Sequence, residues 1–133
     1  MPNRLGLEEE LTVHIDEAIR TAGKPQPVPV NMYEAEEALV LVAPLPGVMA
    51  DDIEVVVEPR VARIRAGMRT AAPKEYLLHE WHYGPYERAV EIPDGFGAEA
   101  RATFGNGQLA VRLLRGRPHE GTRVVVRPQA ATA

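Results

Sequence analysis

His79 and His82 are the pair of side chains whose spacing first suggests chemistry, because they form an H-x-x-H motif. On a helix, two histidines at this kind of spacing could bind one metal ion. In a strand, residues three apart point to opposite faces, so the two rings cannot reach the same ion. The residues around them, 76–82, are typical of a strand. We therefore predict no metal site and no cofactor.

The chain offers no recognisable covalent nucleophile. It contains no cysteine and no serine, which excludes disulfides, thiolate metal ligands and both of the commonest nucleophiles. The threonines lack the sequence context of a nucleophile elbow. Two adjacent acid pairs, Glu36 with Glu37 and Asp51 with Asp52, face apart in an extended chain, which is poor geometry for general acid-base catalysis. There is no phosphate-binding loop, so the sequence predicts no catalytic residue and indicates that the protein is not an enzyme.

The charged residues are unevenly distributed in this chain of 133 residues with a net charge of -4. Residues 25–58 contain seven acids and no base, whereas residues 59–133 contain twelve bases and seven acids. These bases lie between apolar residues with acids among them, unlike the clustered basic surface of a nucleic-acid-binding module. No apolar run is long enough to span a membrane, and the N-terminus, which begins with residues 1–4, lacks the hydrophobic core of a signal peptide. We expect a soluble cytoplasmic protein that binds neither nucleic acid nor membrane.

A short amphipathic helix is predicted near the N-terminus, over residues 7–22. Its apolar face consists of Leu7, Leu11, Ile15 and Ile19, which recur every four residues. Such a short helix is marginal alone and must bury this face. Two alternatives remain open: the helix packs on its own domain, or it is an arm that meets a partner or another subunit. The three prolines in residues 24–29 predict an extended spacer after it.

From Val30 onward, short β-branched runs are separated by proline and glycine. The predicted strands are residues 38–43, 53–58, 61–66, 76–82, 86–92, 102–104 and 109–113. No helical pattern lies between any two of them, so they predict an antiparallel sandwich or barrel rather than βαβ units. Asn106 and Gly107 predict a tight hairpin turn, because both residues tolerate positive φ.

Five motifs in this strand-rich body follow one another in a characteristic order. They are Pro29, Val30, Asn31 and Glu34; Pro46, Gly47 and Val48 before Asp52, Ile53 and Val55; Glu80, Gly84, Tyr86, Arg88, Ile92 and Pro93; Ala102, Asn106, Gly107, Leu109 and Val111; and Val124, Val125 and Val126. Over about residues 28–127 the chain resembles the alpha-crystallin domain of the small heat-shock proteins.

This resemblance implies an all-β fold, an immunoglobulin-like antiparallel β-sandwich with a short N-terminal amphipathic helix and an extended C-terminal tail. We expect three regions. Residues 1–27 form the helical arm and proline-rich spacer, residues 28–114 form the sandwich, and residues 115–133 form the C-terminal extension with its Val-x-Val motif.

The resemblance also implies a function, that of an ATP-independent holdase which binds partly unfolded client proteins and limits their aggregation under stress. The expected partners are such clients and further copies of the chain, in a homodimer or a larger oligomer. The alternative is a structural or adaptor module of the same fold that binds one fixed protein partner. The loop of residues 67–75 is slightly shorter than the one that carries a swapped strand in many bacterial and plant relatives.

The expected site residues form four groups. The client or oligomer contacts are Leu7, Leu11, Ile15 and Ile19. The C-terminal docking motif is Val124 and Val126, which we expect to dock into the groove of a neighbouring subunit. That groove is expected to be lined by Ala62, Ile64, Leu109 and Val111. Glu80 and Arg88 are expected to be structural or interface polar residues. Position 62 carries alanine where the family has a large apolar residue, so we expect a shallow groove and weak docking.

Overall fold

A computed structural model describes residues 26–67, 75–80, 85–117, 124–126 and 128–130. The predicted helix of residues 7–22 lies outside these described residues. The elements within them are β1 (Asn31–Glu34), β2 (Ala38–Pro44), a 3-10 turn (Ala50–Asp52), β3 (Ile53–Glu58), β4 (Val61–Ala66), β5 (Tyr86–Glu91), β6 (Phe96–Gly105), β7 (Gln108–Arg115), β8 (Val124–Val126) and β9 (Gln129–Ala130).

These strands form two sheets, which confirms the predicted all-β antiparallel fold. One sheet has the order β1-β2-β7-β6-β9 and the other has the order β5-β4-β3-β8. Every strand pair is antiparallel except β6 with β9, which is parallel. No helix connects consecutive strands among the described residues, so the sheets can pack directly on each other as a sandwich.

Alternation of side chains along the strands produces the core between the sheets. Ile53, Val55 and Val57 of β3 are fully buried, as expected for residues two apart on a strand face that points inward. The β4 residues opposite them, Ala66, Ile64 and Ala62, are also buried in the same cluster. Leu109, Val111 and Leu113 of β7 complete it from the other sheet.

The hairpin between β6 and β7 turns where the sequence predicts it. Asn106 and Gly107 have φ of 52° and 73°, and Gly105 pairs with Gln108 across the turn. At its other end the hairpin is irregular, because the register shifts between Phe96 and Ala100. β6 begins six residues before the predicted strand 102–104. The sequence did not indicate this first part of the strand, because its small and charged residues obscure the alternation.

The predicted strand 76–82 is wrong for the residues that the structure describes. Residues 75–80 form bends and coil, and they pair with no strand of the described chain. A strand is stabilised by the ladder to its neighbour as well as by its own sequence. The apolar pattern of this segment is therefore present without the backbone partner that would make it a strand.

Gly116, directly after β7, lies where two backbones approach closely. Its φ is 114°, and a Cβ atom added there would lie 2.9 Å from Ala98 Cβ. Its amide donates to the Gly95 carbonyl at 2.8 Å, and its carbonyl accepts from the Ala98 amide at 2.9 Å. The register shift in β6 therefore depends on a residue without a side chain at this position.

We expect Gly116→Ala to lower the free energy of unfolding by about 1–3 kcal/mol, because it adds a steric overlap to a strained φ. Gly95→Ala is the matched control, since Gly95 has a φ of 94° but no atom within 4 Å of the added Cβ. Urea denaturation of both variants measures the difference. Equal losses of stability would show that the contact with Ala98 contributes nothing.

Candidate functional site

Arg88 connects the sandwich to the proline-rich spacer. It lies in the middle of β5, opposite Ile64 of β4 and therefore on the inward face. Its Nη1 donates a hydrogen bond of 2.7 Å to the carbonyl oxygen of Val28, whose side chain is buried. A guanidinium can hold a carbonyl here while its stem packs on apolar neighbours. This supports a structural role for Arg88. Glu80, the other residue expected to be a structural or interface polar residue, is exposed and lies outside any strand.

The spacer also covers the free edge of β5 with its own backbone. The Gln26 amide donates to the Pro85 carbonyl, and the Glu87 amide donates to the Gln26 carbonyl, both at 3.0 Å. These bonds form a parallel bridge between Gln26 and Tyr86. The side-chain bond of Arg88 and these two backbone bonds therefore hold the spacer along one edge of the sheet.

A row of charges across the same sheet was missed by the sequence analysis. Glu54, Arg65 and Glu87 are direct cross-strand neighbours on β3, β4 and β5. Arg65 Nη1 lies 3.7 Å from Glu54 Oε1, and Arg65 Nε lies 3.6 Å from Glu87 Oε2. Glu54 is only 1% exposed. The sequence could not indicate this burial, because alternation with the inward-facing Val55 predicts that Glu54 points to solvent. Burying a carboxylate is costly unless charges or donors compensate it, so this row constrains how β3 and β4 pair.

An exposed apolar segment, residues 76–78, stands out on the surface. Leu77 is fully exposed, Leu78 is 73% exposed, and Tyr76 is exposed with its ring stacked on His79 at 4.4 Å between centroids. The remaining exposed large hydrophobic residues of the described chain are Tyr33, in the edge strand β1, and Met49. Three exposed large hydrophobic residues in succession make this segment the candidate contact site of the described chain.

The C-terminal motif occupies a sheet edge, but the predicted lining of its groove is wrong. Residues 124–126 form β8, which pairs antiparallel with β3 of the same chain, Val55 with Val126 and Val57 with Val124. They also lie close to β6. The predicted lining residues are instead in the sandwich core, at most 1% exposed: Ala62, Ile64, Leu109 and Val111. They belong to β4 and β7, which have long strands as neighbours on both sides, so the edges that the extension pairs with are those of β3 and β6.

Two arginines, one at the end of β7 and one shortly after it, pair with acids at the start of the C-terminal extension. Arg115 Nη2 donates to Glu34 Oε1 at 2.8 Å, and its guanidinium carbon lies 5.0 Å from the centroid of the Phe96 ring. Arg117 forms two hydrogen bonds with the Asp94 carboxylate, one of them from Nε to Oδ1 at 2.9 Å. The direction in which the chain leaves the sandwich is therefore set by paired charges.

The hydrogen bonds from Arg117 lower the pKa of Asp94 below its usual 3.8, and the amide of Gly95 contributes to the same shift. A carboxylate whose folded-state pKa is lowered stabilises the fold above its unfolded pKa, and this contribution is lost as the pH falls through the lowered value. The pair is exposed, so its contribution is small and screened by salt. The Asp94–Arg117 pair is therefore charged at neutral pH, and its small contribution is lost as Asp94 is protonated below its usual pKa.

Among the described residues, no group of three or more His, Asp or Glu side chains could hold a metal ion. His79 is exposed and directly follows the apolar segment 76–78, and His82 lies outside the described residues. The described chain also contains no helix long and apolar enough to cross a membrane. The chemistry that these residues offer is backbone pairing, apolar contact and charge pairing.

Comparison with known proteins identifies the fold. The profile of the Hsp20/alpha crystallin family matches residues 31–127. The chain is 32% identical over 96 residues to Spore protein SP21 of Stigmatella aurantiaca, and the aligned region covers 68% of this chain and 57% of that protein. It is 29% identical over 109 residues to the 18.8 kDa class II heat shock protein of Ipomoea nil, and this aligned region covers 77% of this chain and 65% of that protein. The chain thus spans less than two-thirds of either relative.

Among solved structures, the chain is similar to hspA from Xanthomonas axonopodis, with a TM-score of 0.60 and 27% identity, over 67% of this chain and 93% of that one. The protein belongs to the Hsp20/alpha crystallin family, the small heat-shock proteins. Members of this family act as non-enzymatic chaperones in general. The resemblance drawn from the five sequence motifs is therefore confirmed.

We expect Arg88→Met to lower the free energy of unfolding by about 1 kcal/mol, because it removes a charged hydrogen bond while keeping an aliphatic stem. The Glu87 amide, which donates to Gln26, should also exchange faster with solvent. Hydrogen exchange and urea denaturation measure the two effects. Arg101→Met is the control, since Arg101 is exposed and pairs only with the exposed Glu99 among described residues. A Glu87 amide that exchanges at the wild-type rate would contradict the tether.

Proposed function

We propose that this protein is an ATP-independent holdase that binds partly unfolded proteins and limits their aggregation under stress. The observation that carries the proposal is the exposed segment 76–78, where three of the five exposed large hydrophobic residues of the described chain are contiguous. Membership of a chaperone family supports it. We further propose that it acts in the cytoplasm, as small heat-shock proteins generally do.

The proposed activity needs only reversible apolar contact. A binder that captures unfolded chains acts by mass action on the unfolded state, and it keeps their apolar segments from associating with one another. Apolar contacts are non-directional, so one surface can accept unrelated sequences. Client release then follows from the modest affinity of each contact and requires no nucleotide.

We propose that the chain forms a homodimer through the same segment. β1 is paired only with β2, so its second edge is open in the described chain, and Tyr33 on it is exposed. Residues 76–82 have the pattern of a strand, and residues 75–80, the described part of this region, pair with no strand of the described chain. Pairing this segment with β1 of a second copy would supply the missing ladder through backbone hydrogen bonds.

The N-terminal arm, residues 1–27, lies mostly outside the described residues and is proposed as a second client contact. Its predicted stripe of Leu7, Leu11, Ile15 and Ile19 provides about 1.5–3 kcal/mol of burial per side chain when it meets an apolar surface. The spacer that follows is held by Arg88 and by the Gln26 backbone. The arm would therefore begin at a defined position on the sandwich.

We expect Leu11→Ser combined with Ile15→Ser to weaken protection of heat-denaturing clients roughly tenfold in the amount of chaperone needed, because two apolar contacts are lost. Light scattering with two unrelated clients measures this protection. Thr12→Ser with Asp16→Ser is the matched control, since it changes as many residues off the apolar stripe. Unimpaired protection by the Leu11/Ile15 variant would place client binding on the sandwich alone. If the unaltered protein protects neither client, the holdase proposal fails and the adaptor alternative is favoured.

A further inference from the structure

The C-terminal extension makes two attachments to its own sandwich, one on each sheet. β8 pairs antiparallel with β3 in the four-stranded sheet. β9 begins three residues after the end of β8 and pairs parallel with β6 in the five-stranded sheet, Thr103 with Gln129 and Phe104 with Ala130. The docking motif implied by the family resemblance accounts for the first attachment and not for the second.

The two attachments close the same side of the sandwich. Without β8 and β9, β3 and β6 would be edge strands, because the other neighbour of β3 is β4 and the other neighbour of β6 is β7. Open strand edges present unpaired amides and carbonyls to any passing strand. The extension therefore covers the two edges on this side of the sandwich, whereas β1 keeps an open edge in the described chain.

Pro128 marks the point where the chain crosses from one sheet to the other. It is buried, and without an amide hydrogen it cannot extend either ladder as a donor. Only residues 127 and 128 separate β8 from β9. Once β9 is paired, β8 is held next to β3 by a connection of two residues, so a β8 strand that leaves β3 is kept close enough to pair with it again.

This arrangement sets the competition between the chain's own tail and that of a neighbour. A strand that is joined to its binding site by a short linker has an effective concentration at that site on the order of millimolar. A neighbour's residues 124–126, free in solution at lower concentration, must displace a strand that is tethered on both sides. The second attachment thus favours pairing within the chain over pairing between chains.

We propose that residues 128–130 are a lock that keeps the tail on its own sandwich and thereby limits the size of the assembly. Release of the lock would free β8 to leave β3 and pair with the β3 edge of a second copy. The tail would then act as a tether between subunits. The proposal concerns assembly and holds whether or not the protein is a holdase.

The test compares two truncations of the full chain. A chain ending after Arg127 keeps the Val-x-Val motif and lacks the lock, whereas a chain ending after Ala130 keeps both and is the matched control. Sedimentation velocity over a range of concentrations should show at least about twofold larger particles for the chain ending after Arg127, and wild-type size for the control. Particles of unchanged or smaller size for the chain ending after Arg127 would overturn the proposal.

A second variant establishes that the growth uses the docking motif. Val124→Ala with Val126→Ala, added to the chain that ends after Arg127, should return the particles to wild-type size, because the released strand loses its apolar contacts. Particles that stay large in this variant would show that they form through an exposed strand edge rather than through the tail, and would contradict the proposal.

Hydrogen exchange on the unaltered chain gives an independent measurement that requires no truncation. Pairing within one chain predicts that the protection of the β3 amides that point toward β8 is independent of protein concentration. Protection that increases in proportion to concentration would mean that β3 is covered by a neighbour's tail, and would overturn the lock.

Discussion

The structure depends on how the edges of its two sheets are covered. A strand edge has unpaired amides and carbonyls, and a small sandwich of two open sheets has four such edges. Here β3 and β6 are covered by the C-terminal extension and β5 by the backbone of Gln26, while β1 keeps an open edge in the described chain. The core between the sheets is conventional, so the distribution of covered and open edges decides what the molecule can bind.

The polar side chains of the sandwich serve this edge chemistry. Arg88 holds the spacer at the Val28 carbonyl, which keeps Gln26 against β5. Arg115 and Arg117 pair with Glu34 and Asp94 and so direct the extension as it leaves β7. Arginine suits both tasks because its fixed fork of donors can hold a carbonyl or a carboxylate while its stem lies on apolar surface. These contacts connect the flanking segments to the sandwich.

Local patterns predicted most of the sandwich correctly and failed where a neighbour was needed. Alternation in β3 and β4 indicated their inward faces, and Asn106 with Gly107 predicted the hairpin. The segment 76–82 had the same kind of pattern, yet its described part is not a strand, because no ladder is available to it. The groove residues Ala62 and Ile64 lie in the core for a related reason. Strand alternation shows which residues share a face but not which strand forms the edge of a sheet.

By itself, the sequence determined the class of fold, the family and the absence of a recognisable catalytic constellation, because these follow from residue types and from spacing along one chain. Only the tertiary structure decided that Glu54 is buried beside Arg65, that Arg88 holds the spacer, and that the extension returns to cover β3 and β6. Each of these contacts joins residues or segments that no local periodicity relates. The physical reason is that backbone pairing between strands is nearly independent of sequence, so the partner of an edge strand is chosen by position in space.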